Sequence, residues 1–325
     1  MVRKRYWSLV AIPLVTGITS LAAQQPAAAP APSPSANSPV KVSGYLQARE
    51  TWQEKAGLTG SINRARVTLG GTVATHFLWR VQAEYRTGNV GNGKASAALQ
   101  DAYIRYVKDA FGIQVGQFKT PFTREFITSL ADLETADRAT VVDSLAPKRD
   151  IGIMADWQFG KYATLTGSIF NGDGQNVTTN KDSTALGVAR LVFKPVPQVA
   201  IGGNVARWFG DSVRYGVDAA YDDRRLALRA EYLVQTRDTL SGKGDRGWYG
   251  VAAVRVIRPV QLVGKYEYFN RPGVGPQQKN RAWTAGLNWF AVDPNLKLTF
   301  EYISRRVGDP GVRKGMVLGQ VQARF

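Results

Sequence analysis

The residues of this chain that could do chemistry are basic, and those that would do covalent catalysis are missing. His76 is the only histidine and there is no cysteine. A serine or cysteine hydrolase relies on a histidine base. His76 stands between Thr75 and Phe77 at the head of an alternating stretch, with no G-x-S-x-G motif anywhere in the chain. It reads as a wall or turn histidine, and the chain reads as no enzyme. The cluster Asn171-Gly172-Asp173-Gly174 could hold calcium but lacks the spacing of an EF-hand loop, so it reads as a plain turn and no metal or cofactor is expected. What remains is Lys119, Arg124, Arg138, Lys148 and Arg149, crowded into one stretch between Phe111-Ile113-Val115 and Ile151-Ile153. Long connections without sheet structure are uncommon unless they bind, gate or flex. Basic groups set in series replace an anion's hydration without any one of them trapping it. Arginine presents a fork to phosphate oxygens, and lysine adds a mobile point charge.

Charge and leader point the same way. The formal net charge is +17, and the start MVRKRYWSLVAIPLVTGITSLAAQQ places Arg3, Lys4 and Arg5 before an apolar run and the small residues Ala22 and Ala23. That is the order of a secretory signal peptide, residues 1–23. Residues 24–40 are rich in Ala, Pro and Ser and read as a disordered leader. The exported chain keeps a charge of +14 and so calls for an anionic partner: small anions, acidic glycans or anionic lipid head groups. Nucleic acid is set aside, because an exported protein seldom meets it. No stretch after the leader is apolar for the eighteen or so residues that a spanning helix needs, so a membrane would be crossed by strands.

The elements that must position those cations are strands. Phe77, Trp79, Val81, Ala83 and Tyr85 alternate with Arg80, Gln82, Glu84 and Arg86, and later segments repeat the period of two in lengths of about ten residues. Counting them gives about sixteen, with fourteen or eighteen also open. The polar faces carry charges that a dry core would reject, whereas Trp157, Phe159, Trp208, Trp248, Trp283 and Trp289 suit membrane girdles. The fold expected for residues 41–325 is therefore all-β, a transmembrane antiparallel barrel of the bacterial outer membrane, with a constriction loop at about 119–150 folded into the lumen. Parity turns Arg49, Arg64, Arg66, Arg80 and Arg105 inward on the strands nearest that loop, which itself brings Arg124 and Arg149. Glu84, Glu231 and Glu267, also on inward faces, depart from an all-basic ladder.

The run VGQFKTPFTRE (115–125), then LAPKRDIG (145–152), with Gln100-Asp101-Ala102-Tyr103 and Phe170-Asn171-Gly172, resembles the phosphate-selective porin O and P family. The resemblance spans about Val40 to Phe325. It implies a sixteen-stranded trimeric barrel, narrowed by inward-folded loops and selective for anions. Lys119 and Asp101 stand where that family has a constriction lysine and a charge-limiting aspartate. The expected activity is passive diffusion of small anions, phosphate or polyphosphate, across an outer membrane whose lipid surrounds a homotrimer. A general diffusion porin is the alternative; an outer-membrane hydrolase and a structural barrel fit the residues less well.

Overall fold

The computed structural model describes residues 40–87, 95–180, 183–209, 212–237, 244–272, 279–308 and 311–325. The signal peptide and nearly all of the leader lie outside the described residues. Sixteen strands follow one another in chain order: β1 (Lys41–Gln53), β2 (Gly57–Ala74), β3 (Phe77–Arg86), β4 (Ser96–Lys108), β5 (Phe111–Lys119), β6 (Arg149–Phe159), β7 (Ala163–Phe170) and β8 (Leu186–Val196), then β9 (Val199–Trp208), β10 (Ser212–Asp222), β11 (Leu226–Arg237), β12 (Asp245–Ile257), β13 (Val260–Asn270), β14 (Lys279–Val292), β15 (Leu296–Val307) and β16 (Val312–Arg324). Each pairs antiparallel with the next, and β1 pairs with β16 from Tyr45↔Arg324 to Gln53↔Met316, so the barrel is closed. Closure leaves no strand edge unpaired, the condition for crossing a bilayer with strands.

The period of two sorts the side chains. Val67, Val81, Ile104, Val115, Ile153, Ile169 and Val217 are exposed on the outer face, while Gln47, Arg66, Gln82 and Asp101 on the inner face are buried. Tight turns join the strands at one end. His76 lies in the β2–β3 turn at φ 68, its ring edge-on to Tyr106. Trp157, Phe159, Trp248, Trp283 and Trp289 are exposed on the outer face as girdle residues are. Trp208 is not one of them. Its indole Nε1 donates to the Gly172 carbonyl and Arg214 stacks over its ring at 4.3 Å, so it belongs to the inner face.

The longest irregular connection among the described residues runs from 120 to 148, between β5 and β6, and holds two short helices, α1 (Arg124–Ile127) and α2 (Thr140–Leu145). Its two ends are tied together, since the Thr120 amide and hydroxyl both donate to the Lys148 carbonyl at 3.0 and 2.9 Å. The loop folds inside the barrel because its apolar residues need cover. Phe122, Phe126, Val141, Val142 and Leu145 form one buried cluster with Leu186, Leu233, Tyr249, Val251 and Phe269 of the wall. Charge does not cover the whole inner face: β8 and β11 to β13 turn apolar side chains inward and build a core inside the barrel.

The motif residues at the foot of the loop do structural work. Asp150 accepts from the Ile151 amide at 2.7 Å and from the Gly172 amide at 2.8 Å, which pins the start of the 171–180 loop to β6. Gln117 reaches the same loop, donating to Asn176 at 2.9 Å. Asp150→Ala leaves two amides without their acceptor at about 1–3 kcal/mol each. Limited proteolysis is expected to cut the 171–180 loop several times faster than in the unaltered protein, and equal cutting rates would refute this anchoring role.

Candidate functional site

The loop crosses the lumen, and each backbone group it carries away from water must find a partner. The far wall supplies them strand by strand. Glu231 of β11 accepts the Arg124 and Glu125 amides at 3.1 and 2.5 Å, and the Tyr249 hydroxyl donates to it at 2.8 Å. Glu267 of β13 accepts the Thr140 amide at 3.1 Å and its hydroxyl at 2.6 Å. Glu301 of β15 accepts the Ala136 amide at 2.8 Å. The loop's carbonyls meet cations and amides in turn: Lys265 donates to Asp137, Lys297 to Leu133, Asn288 to Glu134 and Gln322 to Ala131. The carboxylates Glu231 and Glu267, which break the all-basic ladder in sequence, thus hold the loop and do not line the passage.

Four of the candidate cations are held by loop or wall partners too. Arg124 pairs with Asp218 at 2.8 Å, a carboxylate it shares with Arg190. Arg49 makes a bidentate pair with Asp137, at 2.8 and 3.0 Å, and also donates to Gln320. The Lys119 ammonium gives all three of its protons to the carbonyls of Phe126, Ile127 and Thr128, at 2.8, 3.1 and 2.9 Å, at the C-terminal end of α1. Arg138 caps the same end through the carbonyls of Glu125, Phe126 and Thr128. The Phe126 ring lies between these two cations, 5.5 Å from Lys119 and 5.0 Å from Arg138. Arg105, lower on β4, is bidentate to Asp156 at 2.7 and 2.9 Å.

Four candidates remain, and they share two carboxylates. Arg66 and Arg64 of β2 both face Glu84, Arg66 in a close hydrogen-bonded pair and Arg64 at 3.6 Å. Arg149, the first residue of β6, and Arg80 of β3 both face Asp101, at 2.8 and 3.5 Å. This wall keeps two positive charges in excess. Lys119 at the end of β5 and Arg138 of the loop add two more, and Arg138 stands near enough to Arg64 and Arg149 to feel their charge. Burial pushes the Arg138 guanidinium down to about 10; Asp143 and Glu125 oppose that shift, and Arg64 and Arg149 add to it. It stays charged at neutral pH. Arg80 is the most open of the four, with 36% of its side chain exposed.

Glu125 is the site's odd member. Its carboxylate accepts the Ala139 amide at 2.9 Å among Glu231 of β11, Tyr249 of β12, Lys265 of β13 and Arg138 of the loop. Burial pushes its pKa up from 4.5 to about 8, with Lys265 pulling down and Glu231 pushing further up. A raised carboxyl pKa means that the folded loop holds a proton which the loosened loop would release. The stabilisation is complete below about 4.5 and is lost as pH rises through about 8. Between pH 6 and pH 9 the open-channel current is expected to grow noisier, and Glu125→Gln to flatten that dependence. A noise level that does not change with pH in the unaltered protein would contradict this.

Sequence parity placed Arg49, Arg64, Arg66, Arg80 and Arg105 on the inner face, and they are there. Parity could not tell a cation open to the passage from one bound to the loop, and it passed over Arg138, whose signal was only its place in the basic stretch.

The sequence model of the family described as "Phosphate-selective porin O and P" matches residues 44–200. No curated protein sequence matches the chain. Among solved structures, an anion-selective porin from Comamonas acidovorans superposes with a TM-score of 0.67 at 10% identity, over 88% of this chain and 99% of that one. The trimer form of OmpT, an outer membrane protein of Vibrio cholerae, gives 0.64 at 11% identity, again over 88% and 99%. The outer membrane channel DcaP of Acinetobacter baumannii gives 0.63 at 12%, over 88% and 97%. At such identities the likeness is one of fold.

Proposed function

Over residues 44–200 the chain belongs to the phosphate-selective porin O and P family, and from that premise we propose that its barrel passes small anions, phosphate foremost, by diffusion past Arg64, Arg66, Arg80 and Arg149. The protein is a porin of the bacterial outer membrane. The observation that carries the anion reading is the division of the inner charges. The carboxylates of β11, β13 and β15 are taken up by loop amides, whereas among the described residues four arginines of β2, β3 and β6 share Glu84 and Asp101. An anion in the passage meets guanidinium forks in series, each partly neutralised and none strong enough to hold it. Asp101 limits the depth of the well by pairing with Arg149, which fits the charge-limiting role implied by its motif. Lys119 acts through the loop, by fixing the end of α1 against the basic wall. Association into trimers belongs to the same reading and is supported by the family resemblance and by the trimer form described for the Vibrio cholerae protein.

The test is single-channel recording of the purified protein in a planar bilayer under a chloride gradient, with millimolar phosphate then added. A reversal potential of anionic sign, with conductance falling as phosphate rises, is expected. An anionic potential without phosphate block would reduce the proposal to general anion diffusion, and a cationic potential would overturn it.

A further inference from the structure

The outer face carries a feature that conduction does not explain. Arg281 of β14 stands directly opposite Arg306 of β15, and Arg306 directly opposite Arg313 of β16. All three are exposed. Directly opposed residues on neighbouring strands sit about 4.5–5.5 Å apart at Cβ, and like charges at that spacing are destabilising. Among the described residues no carboxylate lies within ion-pairing distance of any of the three; Asp309, between β15 and β16 in the sequence, lies outside the described residues. Arg313 donates its Nε to Ser304 at 2.7 Å, and Arg281 lies 5.9 Å from the Tyr268 ring. Neither contact brings a negative charge.

The row has a defined height. Two residues further down the same strands the outward register reads Trp283, Ser304 and Gly315, and the Trp283 ring packs on Tyr302 with centroids 5.2 Å apart. Two strand residues span about 7 Å. Aromatic girdles mark the membrane–water interface, so the arginines stand at the level of the lipid head groups on the side where the long loops emerge. Trp248 and Tyr266 make a second such pair, 5.3 Å apart, and Arg246 lies above it on the outer face of β12.

We propose that Arg281, Arg306 and Arg313 form a docking site for the phosphate groups of an anionic lipid in the outer leaflet. The lipid's acyl chains lie on the apolar wall below, and its phosphates supply a counter-charge that the described residues do not. Arginine suits this because its weakly hydrated fork binds phosphate bidentately and tolerates partial burial. The site faces away from the lumen and is independent of the conduction path.

Binding of diphosphorylated lipid A to the full-length protein in phosphatidylcholine nanodiscs, followed by native mass spectrometry, tests the assignment. The triple variant R281Q/R306Q/R313Q is compared with K108Q/R224Q/R225Q, which loses the same charge at the opposite end of the barrel. At roughly fivefold per arginine, affinity is expected to fall on the order of a hundredfold in the first variant and to hold in the second. Dephosphorylated lipid A is expected to bind the unaltered protein no better than the phosphorylated lipid binds the first variant. Equal binding by the unaltered protein and the first variant overturns the proposal, as does an equal loss in both variants or full retention of the dephosphorylated lipid. Should the triple variant fail to fold, Arg306→Gln alone is expected to weaken binding about fivefold, and no change there overturns it as well.

Discussion

Replacing Arg80 by Glu is expected to lower the anion-to-cation permeability ratio about thirtyfold at low ionic strength. The wall that now sets four arginines against Glu84 and Asp101 would set three against three. Its excess charge would vanish, leaving Lys119 of β5 and Arg138 of the loop. A unit charge about 8 Å from a passing ion in water is worth about 0.5 kcal/mol. A change of two charges thus raises an anion by about 1 kcal/mol and lowers a cation by about as much, and the ratio feels both. Arg80 suits the test because its side chain is the most open of the four and Asp101 keeps Arg149 as a partner at 2.8 Å. Arg224→Glu, the same charge change in the exposed β10–β11 turn, is expected to leave the ratio where it was. Arg80→Lys separates charge from geometry: selectivity is retained and phosphate block weakens, because an ammonium lacks the fork. An unchanged reversal potential in Arg80→Glu would remove the basic wall from the mechanism.

The barrel was legible because its rule is simple. Alternation names the face of each residue, and sixteen segments of about ten residues are the sixteen strands observed. The loop was legible as an interruption of that rule, placed at about 119–150 and found at 120–148. The use of each inward charge was not legible. Arg49 of β1 and Arg80 of β3 both sit on inward faces, yet one grips Asp137 and Gln320 while the other stands half open beside Asp101. The difference is made by where a loop from a distant part of the chain comes to rest. Glu231 and Glu267 misled for the same reason, since parity places them inside without naming the backbone amides that meet them there. One local signal did exist. Inward Val251 and Ala253 alternate with outward Ala252 and Val254, so β12 is apolar on both faces, and a strand buried on both sides packs against something within. The Val141-Val142 pair of the loop is that partner.

The loop's grip can be measured through Glu231. Its carboxylate accepts from three donors, the amides of Arg124 and Glu125 and the hydroxyl of Tyr249. Glu231→Ala strands all three in a buried place at about 1–3 kcal/mol each, enough to shift a loop that closes by a few kcal/mol into frequent opening. Strand β11 keeps its ladders to β10 and β12, so the barrel itself is expected to assemble and to retain its β-sheet circular dichroism. Single channels should then show a larger mean conductance, flickering between two levels, with the anion preference falling as the loop leaves the basic wall. Glu231→Gln keeps a carbonyl oxygen for the amides and removes a charge that lies beside Asp218 and Glu125, so its channels are expected to fall close to the unaltered ones. The order Glu, Gln, Ala in rising flicker follows from hydrogen bonding. If Gln proves as noisy as Ala, the loop is held by the charge at this position, and if neither flickers, the apolar packing of Phe122, Val141 and Leu145 holds it without help from the wall.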